Sequence, residues 1–166
     1  MMALIHTFCV WLNATPWSVA IREGDYAFPI IETVHIIGLA FSVGTIMWVD
    51  LRFLGLAMTH EPASDVIEQL EPYAMAGFTV MFISGALLFL SEPLKCYTTL
   101  AFRLKAIMLI LASLNILYFW RSSAYKNITE WDEEKNGIPW QGKFVGAMSL
   151  VLWFGIIIAG RWTAYF

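Results

Sequence analysis

Glu32-Thr-Val-His35 places a carboxylate and an imidazole three residues apart, on one face of any helix that contains them. A neutral imidazole presents one ring nitrogen to a metal while the other donates to a partner, and Glu32, one turn away, is suited to be that partner. A second cationic pair, Arg103 and Lys105, opens a later apolar run. Ionisable groups carried to membrane depth are costly and mark functional sites by default, so these four residues are the first place to look for chemistry.

The elements that hold them are legible from hydropathy. The chain has 166 residues, 59% of them hydrophobic and only 14% charged, which is too apolar for an ordinary soluble domain. Four apolar blocks stand out, and they predict spans at about 28–56, 72–91, 101–121 and 142–162. The expected fold is therefore all-α: a single transmembrane domain over 1–166, an integral membrane four-helix bundle with backbone polar groups satisfied inside each helix. Trp48, Trp120 and Trp140 should mark one membrane interface and Trp17 and Trp162 the other, with Trp153 inside the packing. A formal net charge of -3 gives no reason to expect a nucleic-acid partner.

The first dozen residues lack a basic region and are too short to span, so they read as a short interfacial helix and not a cleaved signal. Thr15-Pro16 opens a second helical segment, and Gly24-Asp25 breaks the chain before the first span. Pro72 reads as a first-turn proline of the second span, after an acidic linker over 59–71 in which Ser64 and Asp65 could start a short surface helix. The stretch 121–141, with Glu130, Asp132, Glu133 and Glu134, reads as a solvated hairpin loop. Small residues at helix-packing spacing (Gly38 and Ser42, Gly142 and Gly146, Gly155 and Ala159) predict close helix contacts. Asp50 and Arg52 read as an interfacial anchor, and Asn115 as a hydrogen bond between helices.

With alternating spans, Glu32, His35, Glu92, Arg103, Lys105 and Arg161 all gather at the mouth on the side of the termini. Histidine count then limits cofactors. His35 and His60 lie on or just beyond one helix, roughly 37 Å apart at helical rise, and cannot bracket one haem. His6 could fold back towards His35, but no spacing requires it. Two readings of His35 stay open: axial ligand of a single-histidine haem, or a hydrogen bond to a neighbouring helix. Lys105 has the alternative of snorkelling to the interface. The scattered methionines suit core filling better than copper ligation. Cys9 and Cys96 both fall on the terminal side, where they could pair if that side is oxidising, although two cysteines in an apolar chain more often stay free.

The run Glu32-Thr-Val-His35-Ile-Ile-Gly38, followed by Gly44, Trp48 and Asp50-Leu-Arg52, resembles the first helix of the CopD-like superfamily of small membrane proteins. The segments Pro93 to Tyr97, Ala101-Phe102-Arg103-Leu104-Lys105 and Asn115 resemble its loop and third helix. The superfamily includes the copper-resistance membrane protein CopD, the HemJ-type protoporphyrinogen oxidases and several uncharacterised small four-helix groups, and this chain looks most like the uncharacterised groups. In the latter a first-helix histidine ligates haem b and a third-helix lysine is important; carried across, these fall on His35 and Lys105. The HemJ pattern has a further histidine shortly after the first-helix arginine, whereas here His60 stands farther from Arg52, a departure that bears on the oxidase reaction more than on haem binding.

The resemblance implies a haem b-binding membrane redox protein, in electron transfer or oxidation of a small substrate. His35 would be the metal ligand, and Lys105 would pair with a propionate or substrate carboxylate, with Arg103 alongside. Glu32 would orient His35 or relay protons. The alternatives are a copper or small-solute transport protein and a non-catalytic membrane subunit. The expected partners are the lipid bilayer and a second copy or a redox partner, and the expected location is a bacterial inner membrane.

Overall fold

Local capping sets the N-terminal architecture of the computed structural model, which describes residues 2–131 and 137–163. Helix α1 (Met2–Asn13) stops at Ala14, and α2 (Pro16–Glu23) starts anew, with Thr15 accepting a hydrogen bond from the Ser18 amide and Pro16 in the first turn. The two meet at 62°. Arg22 then fastens this hinge to the bundle: its Nη1 donates to Asn13 Oδ1 (3.0 Å), Ser18 Oγ (3.3 Å) and the Ser91 carbonyl (3.1 Å).

Next come α3 (Ala27–Phe53), α4 (Ala63–Ser91), the short α5 (Pro93–Thr98), α6 (Leu100–Arg121), the single turn α7 (Ser123–Lys126) and α8 (Trp140–Trp162). There is no strand among the described residues. Helices α3, α4, α6 and α8 are 27, 29, 22 and 23 residues long and apolar enough to cross a membrane. Their outer faces expose Ile36, Phe41, Phe82, Ile110, Val151 and Ile158, a surface suited to lipid. The protein is an integral membrane four-helix bundle. Trp17, Trp48, Trp120, Trp140 and Trp162 are exposed and Trp153 is 7% exposed, as the aromatic-belt pattern requires.

Helix α3 packs most extensively on α4, α6 packs on α8, and α3 joins the two pairs through α8. Helices α4 and α6 do not pack along their lengths, which leaves one seam of the bundle open.

Four sequence readings need correction. Helix α3 ends at Phe53, not Leu56, because Gly55 adopts φ +73° and the Leu56 and Gly55 amides bond back to the Leu51 and Arg52 carbonyls. Helix α4 begins at Ala63, not Pro72. Pro72 removes the helical donor for the Glu68 carbonyl, but both residues are exposed, so solvent replaces the bond. The stretch after α6 is not simply a solvated loop. Trp131 is 4% exposed, packed edge-on against Phe53 and Phe119 and lying over Gly142, where a Cβ would meet its ring at 2.7 Å. The acidic residues Asp132, Glu133 and Glu134 lie outside the described residues. Finally, Asp50 and Arg52, expected as an interfacial anchor, are turned into the protein near the end of α3: each is 4% exposed, and Arg52 Nε donates to the Glu61 carbonyl at 2.8 Å.

This topology is open to a labelling test. In a background lacking the native thiols, cysteines introduced at Ser64 and Asn127 should react with an impermeant maleimide from the same side of a sealed vesicle. One at Thr98 should react only from the opposite side. Opposite answers for Ser64 and Asn127 would contradict the four-span arrangement.

Candidate functional site: a histidine and a lysine inside the terminal-side mouth

The site is built on the tightest helix contact in the bundle. A Cβ at Gly77 of α4 would lie 2.5 Å from the Ser42 amide nitrogen and 3.0 Å from the Gly38 carbonyl, so only glycine lets the two backbones approach this closely. Because α3 and α4 run antiparallel, the next turn of α3 brings His35 against Met81, Ser84 and Gly85. His35 Nδ1 stands 3.1 Å from the Met81 carbonyl and 3.0 Å from Ser84 Oγ. Ser84 directs its own hydroxyl proton to the Val80 carbonyl at 2.6 Å, so Oγ meets the histidine with a lone pair. Both neighbours therefore accept, and Nδ1 carries a proton. Nε2 makes no hydrogen bond among the described residues. The ring also needs Gly85, since a Cβ there would sit 3.1 Å from Cε1.

Lys105 enters from α6. Its side chain crosses to α8 and lies over Gly160, where a Cβ would be 3.4 Å from Nζ. It makes no hydrogen bond or ion pair among the described residues, although its charge reaches both His35 and Cys96. The lysine is half-buried and reaches along α8 towards its terminal-side end. A lysine at membrane depth costs up to about 3 kcal/mol on insertion scales, which makes an unpaired ammonium a functional candidate.

His35 packs against α4 and Lys105 against α8 on the same side of the bundle, and neither bonds to the other two predicted residues. Glu32 is half-buried on α3 and does not orient His35, whose Nδ1 is already taken by Met81 and Ser84. Arg103 is exposed on α6 and joins neither His35 nor Lys105. His60 is exposed beyond the other end of α3, and His6 packs its ring edge-on against Tyr97 at 5.7 Å. Among the described residues, no three His, Cys, Asp or Glu side chains assemble into a metal site, so a metal here would rest on His35. Asn115 is the interhelical tie expected, with Nδ2 donating to the Val145 carbonyl at 3.0 Å.

Sequence reasoning missed Met81, Ser84, Gly85 and Gly160. The adjacent Ser84-Gly85 in a span of bulky apolar residues was a usable signal. A carbonyl acceptor such as that of Met81 has none, because every residue carries one.

A roof of α1, α2 and α5 closes this mouth. Cys9 and Cys96 are both buried free thiols on α1 and α5. Burial, and next the Glu92 carboxylate, push the Cys96 thiol up to about 11 from 9.0. Glu92 is itself held in a half-exposed ion pair with Lys95 at 3.9 Å.

Fold and site together define a four-span helical membrane protein with one histidine and one lysine, His35 and Lys105, on the terminal side of its bundle. A family model described as a family of unknown function (DUF6644) matches residues 21–166, and the chain belongs to that family. The matched stretch contains all four spans and both of these residues, and omits Cys9. No curated protein matches the chain. No solved structure matches it either.

The raised Cys96 value has a measurable consequence. Folding favours the neutral thiol, so any stability linked to Cys96 is intact below pH 9.0 and lost as pH rises towards about 11. Iodoacetamide should alkylate Cys96 of the folded protein more slowly at pH 9 than it does the denatured chain, with the rate climbing towards pH 11. A rate profile matching the denatured chain would contradict the buried placement.

Proposed function

We propose that this protein is a haem b-binding membrane redox protein with His35 as the axial ligand. The observation that carries the reading is the pair of acceptors at His35 Nδ1, which fixes the proton on that nitrogen and leaves Nε2 uncommitted. This is the arrangement of metal-ligating histidines, in which the second nitrogen donates to a carbonyl or similar acceptor that sets the tautomer and raises ligand basicity. Gly85 leaves room for the ring, and Lys105 supplies an unpaired cation of the sign that a haem propionate or a substrate carboxylate requires.

When bound, the haem supplies one-electron chemistry, while the protein sets its ligand, charge and access to water. Met81 and Ser84 hold the imidazole. Lys105 neutralises an anionic group at the mouth, and Glu32, one turn nearer the entrance, is placed to pass protons. The roof formed by α1, α2 and α5 limits water entry. The electron partner would dock from the membrane or its surface, as a separate protein or a second copy along the unburied α6, and the setting would be a bacterial inner membrane.

The protein purified in mild detergent should show a Soret band, with metal analysis reporting iron and not copper. His35→Ala should abolish the band while leaving helical content unchanged. Ser84→Ala should weaken cofactor retention about tenfold, the lower end of the usual cost of losing an outer partner. Lys105→Ala should weaken retention without shifting the axial-ligand signature, and His60→Ala should change nothing. A colourless parent protein, or a His35→Ala variant with the parental spectrum, would contradict the assignment.

A further inference from the structure

The open seam between α4 and α6 encloses a second feature, at the opposite end of the bundle from His35. A cavity of about 600 Å³ runs between these helices, floored by α3 and α8. It extends along α6 from the level of Trp120 to that of Leu109, about 16 Å at helical rise, and so reaches from the interface towards the middle of the bilayer. Its volume is that of a small-molecule site.

The polar lining has a consistent character. Asp50 is 4% exposed and is among the residues lining the cavity, and its buried Oδ2 has no hydrogen-bond partner among the described residues. Ser149 is its polar neighbour from α8, which approaches closely because Gly146 lies against the Asp50 backbone. Thr45, Thr79 and Ser113 direct their hydroxyl protons to the carbonyls of Phe41, Met75 and Leu109 in their own helices, so each turns only lone pairs outward. Glu71 adds a second carboxyl, and among the described residues no Lys, Arg or His lines the space. An orphaned buried carboxyl oxygen costs about 1–3 kcal/mol, and a ligand that donates to it recovers that energy.

We propose that this cavity binds a neutral, single-tailed amphiphile whose head donates hydrogen bonds through hydroxyl groups, with the head at Asp50 and the tail directed towards Phe82 and Ile83. Two acidic side chains, and no basic one among the described residues, disfavour anionic heads. A hydroxyl both donates and accepts, so it matches Asp50 in either protonation state. An ammonium needs the ionised form and the desolvation of two charges. Two sources supply this chemistry: an aromatic diol of the quinol type and a lipid alcohol such as a monoacylglycerol.

The test uses the full-length protein in nanodiscs and four probes with the same brominated alkyl chain, carrying a hydroquinone, glycerol ester, ammonium or carboxylate head. Bromine quenches nearby tryptophan, and Trp153 lines the cavity. Saturable quenching is expected with the hydroquinone or glycerol probe, and the tighter of the two identifies the source. That quenching should fall in Trp153→Phe and disappear when Trp120, which also lines the cavity, is replaced by Phe as well. Asp50→Leu should weaken binding about tenfold, as loss of one buried hydrogen bond predicts. Ala112→Phe, which fills the cavity and keeps Asp50, should abolish it. The proposal is overturned by equal quenching with all four heads, by tightest binding of the ammonium or carboxylate, by absence of saturable quenching, or by parental affinity in a folded Ala112→Phe protein. None of these readings involves the haem spectrum, so the cavity and the His35 assignment stand or fall separately.

Discussion

The close approach of α3 and α4 at Gly38, Ser42, Gly77 and Met81 is the constraint on which the rest of the bundle depends. Lipid gives helices no hydrophobic reason to associate, so contact at backbone distance and the hydrogen bonds it permits must hold them together. This contact fixes the axial register of the two longest helices. A one-turn slide would move the Met81 carbonyl and Ser84 out of reach of His35 and put a bulkier residue where Gly85 now clears the ring. The same register leaves α4 turned towards α3 and away from α6, which is why the seam at Asp50 is open.

The two ends of the bundle differ in how they treat ionisable groups. At the terminal side, His35 is anchored through one nitrogen and Lys105 is unpaired, beneath a roof pinned by Arg22 to the Ser91 carbonyl. At the other side, Arg52 is tied to the Glu61 carbonyl, and Asp50 keeps a buried oxygen without a hydrogen-bond partner among the described residues. Each end holds one polar atom ready for something the protein itself does not supply, and the bilayer between them separates the two sites by most of the length of α3.

Much of the fold was legible because it depends on composition. Long apolar runs with exposed tryptophans at their ends specify spans whatever their neighbours are, and Thr15-Pro16 specifies a helix start locally. Boundaries were less legible. Pro72 normally marks a first turn, and only its exposure explains why α4 runs through it from Ala63. Trp131 sits in a polar stretch, and its burial depends on a slot made by Gly142 and two phenylalanines from distant segments. In the site, His35 and Lys105 stood out as ionisable groups in apolar runs. Glu32 and Arg103 stood out equally, and were separated from them only by rotation about their helix axes and by competition from a backbone carbonyl. The small-residue pairs were visible on α3 and α8, and Ser84-Gly85 offered a signal on α4, but the part Gly77 plays as their complement follows only from the pairing itself.

The central claim is that Met81 and Ser84 hold the proton on Nδ1 of His35 and leave Nε2 for a ligand. Nitrogen-15 NMR of the histidine-labelled, cofactor-free protein reads this directly, with His6 and His60 assigned by substitution. The account predicts that His35 shows a protonated Nδ1 in a hydrogen bond and an unprotonated Nε2 near neutral pH. A proton on Nε2 with a bare Nδ1 would contradict it.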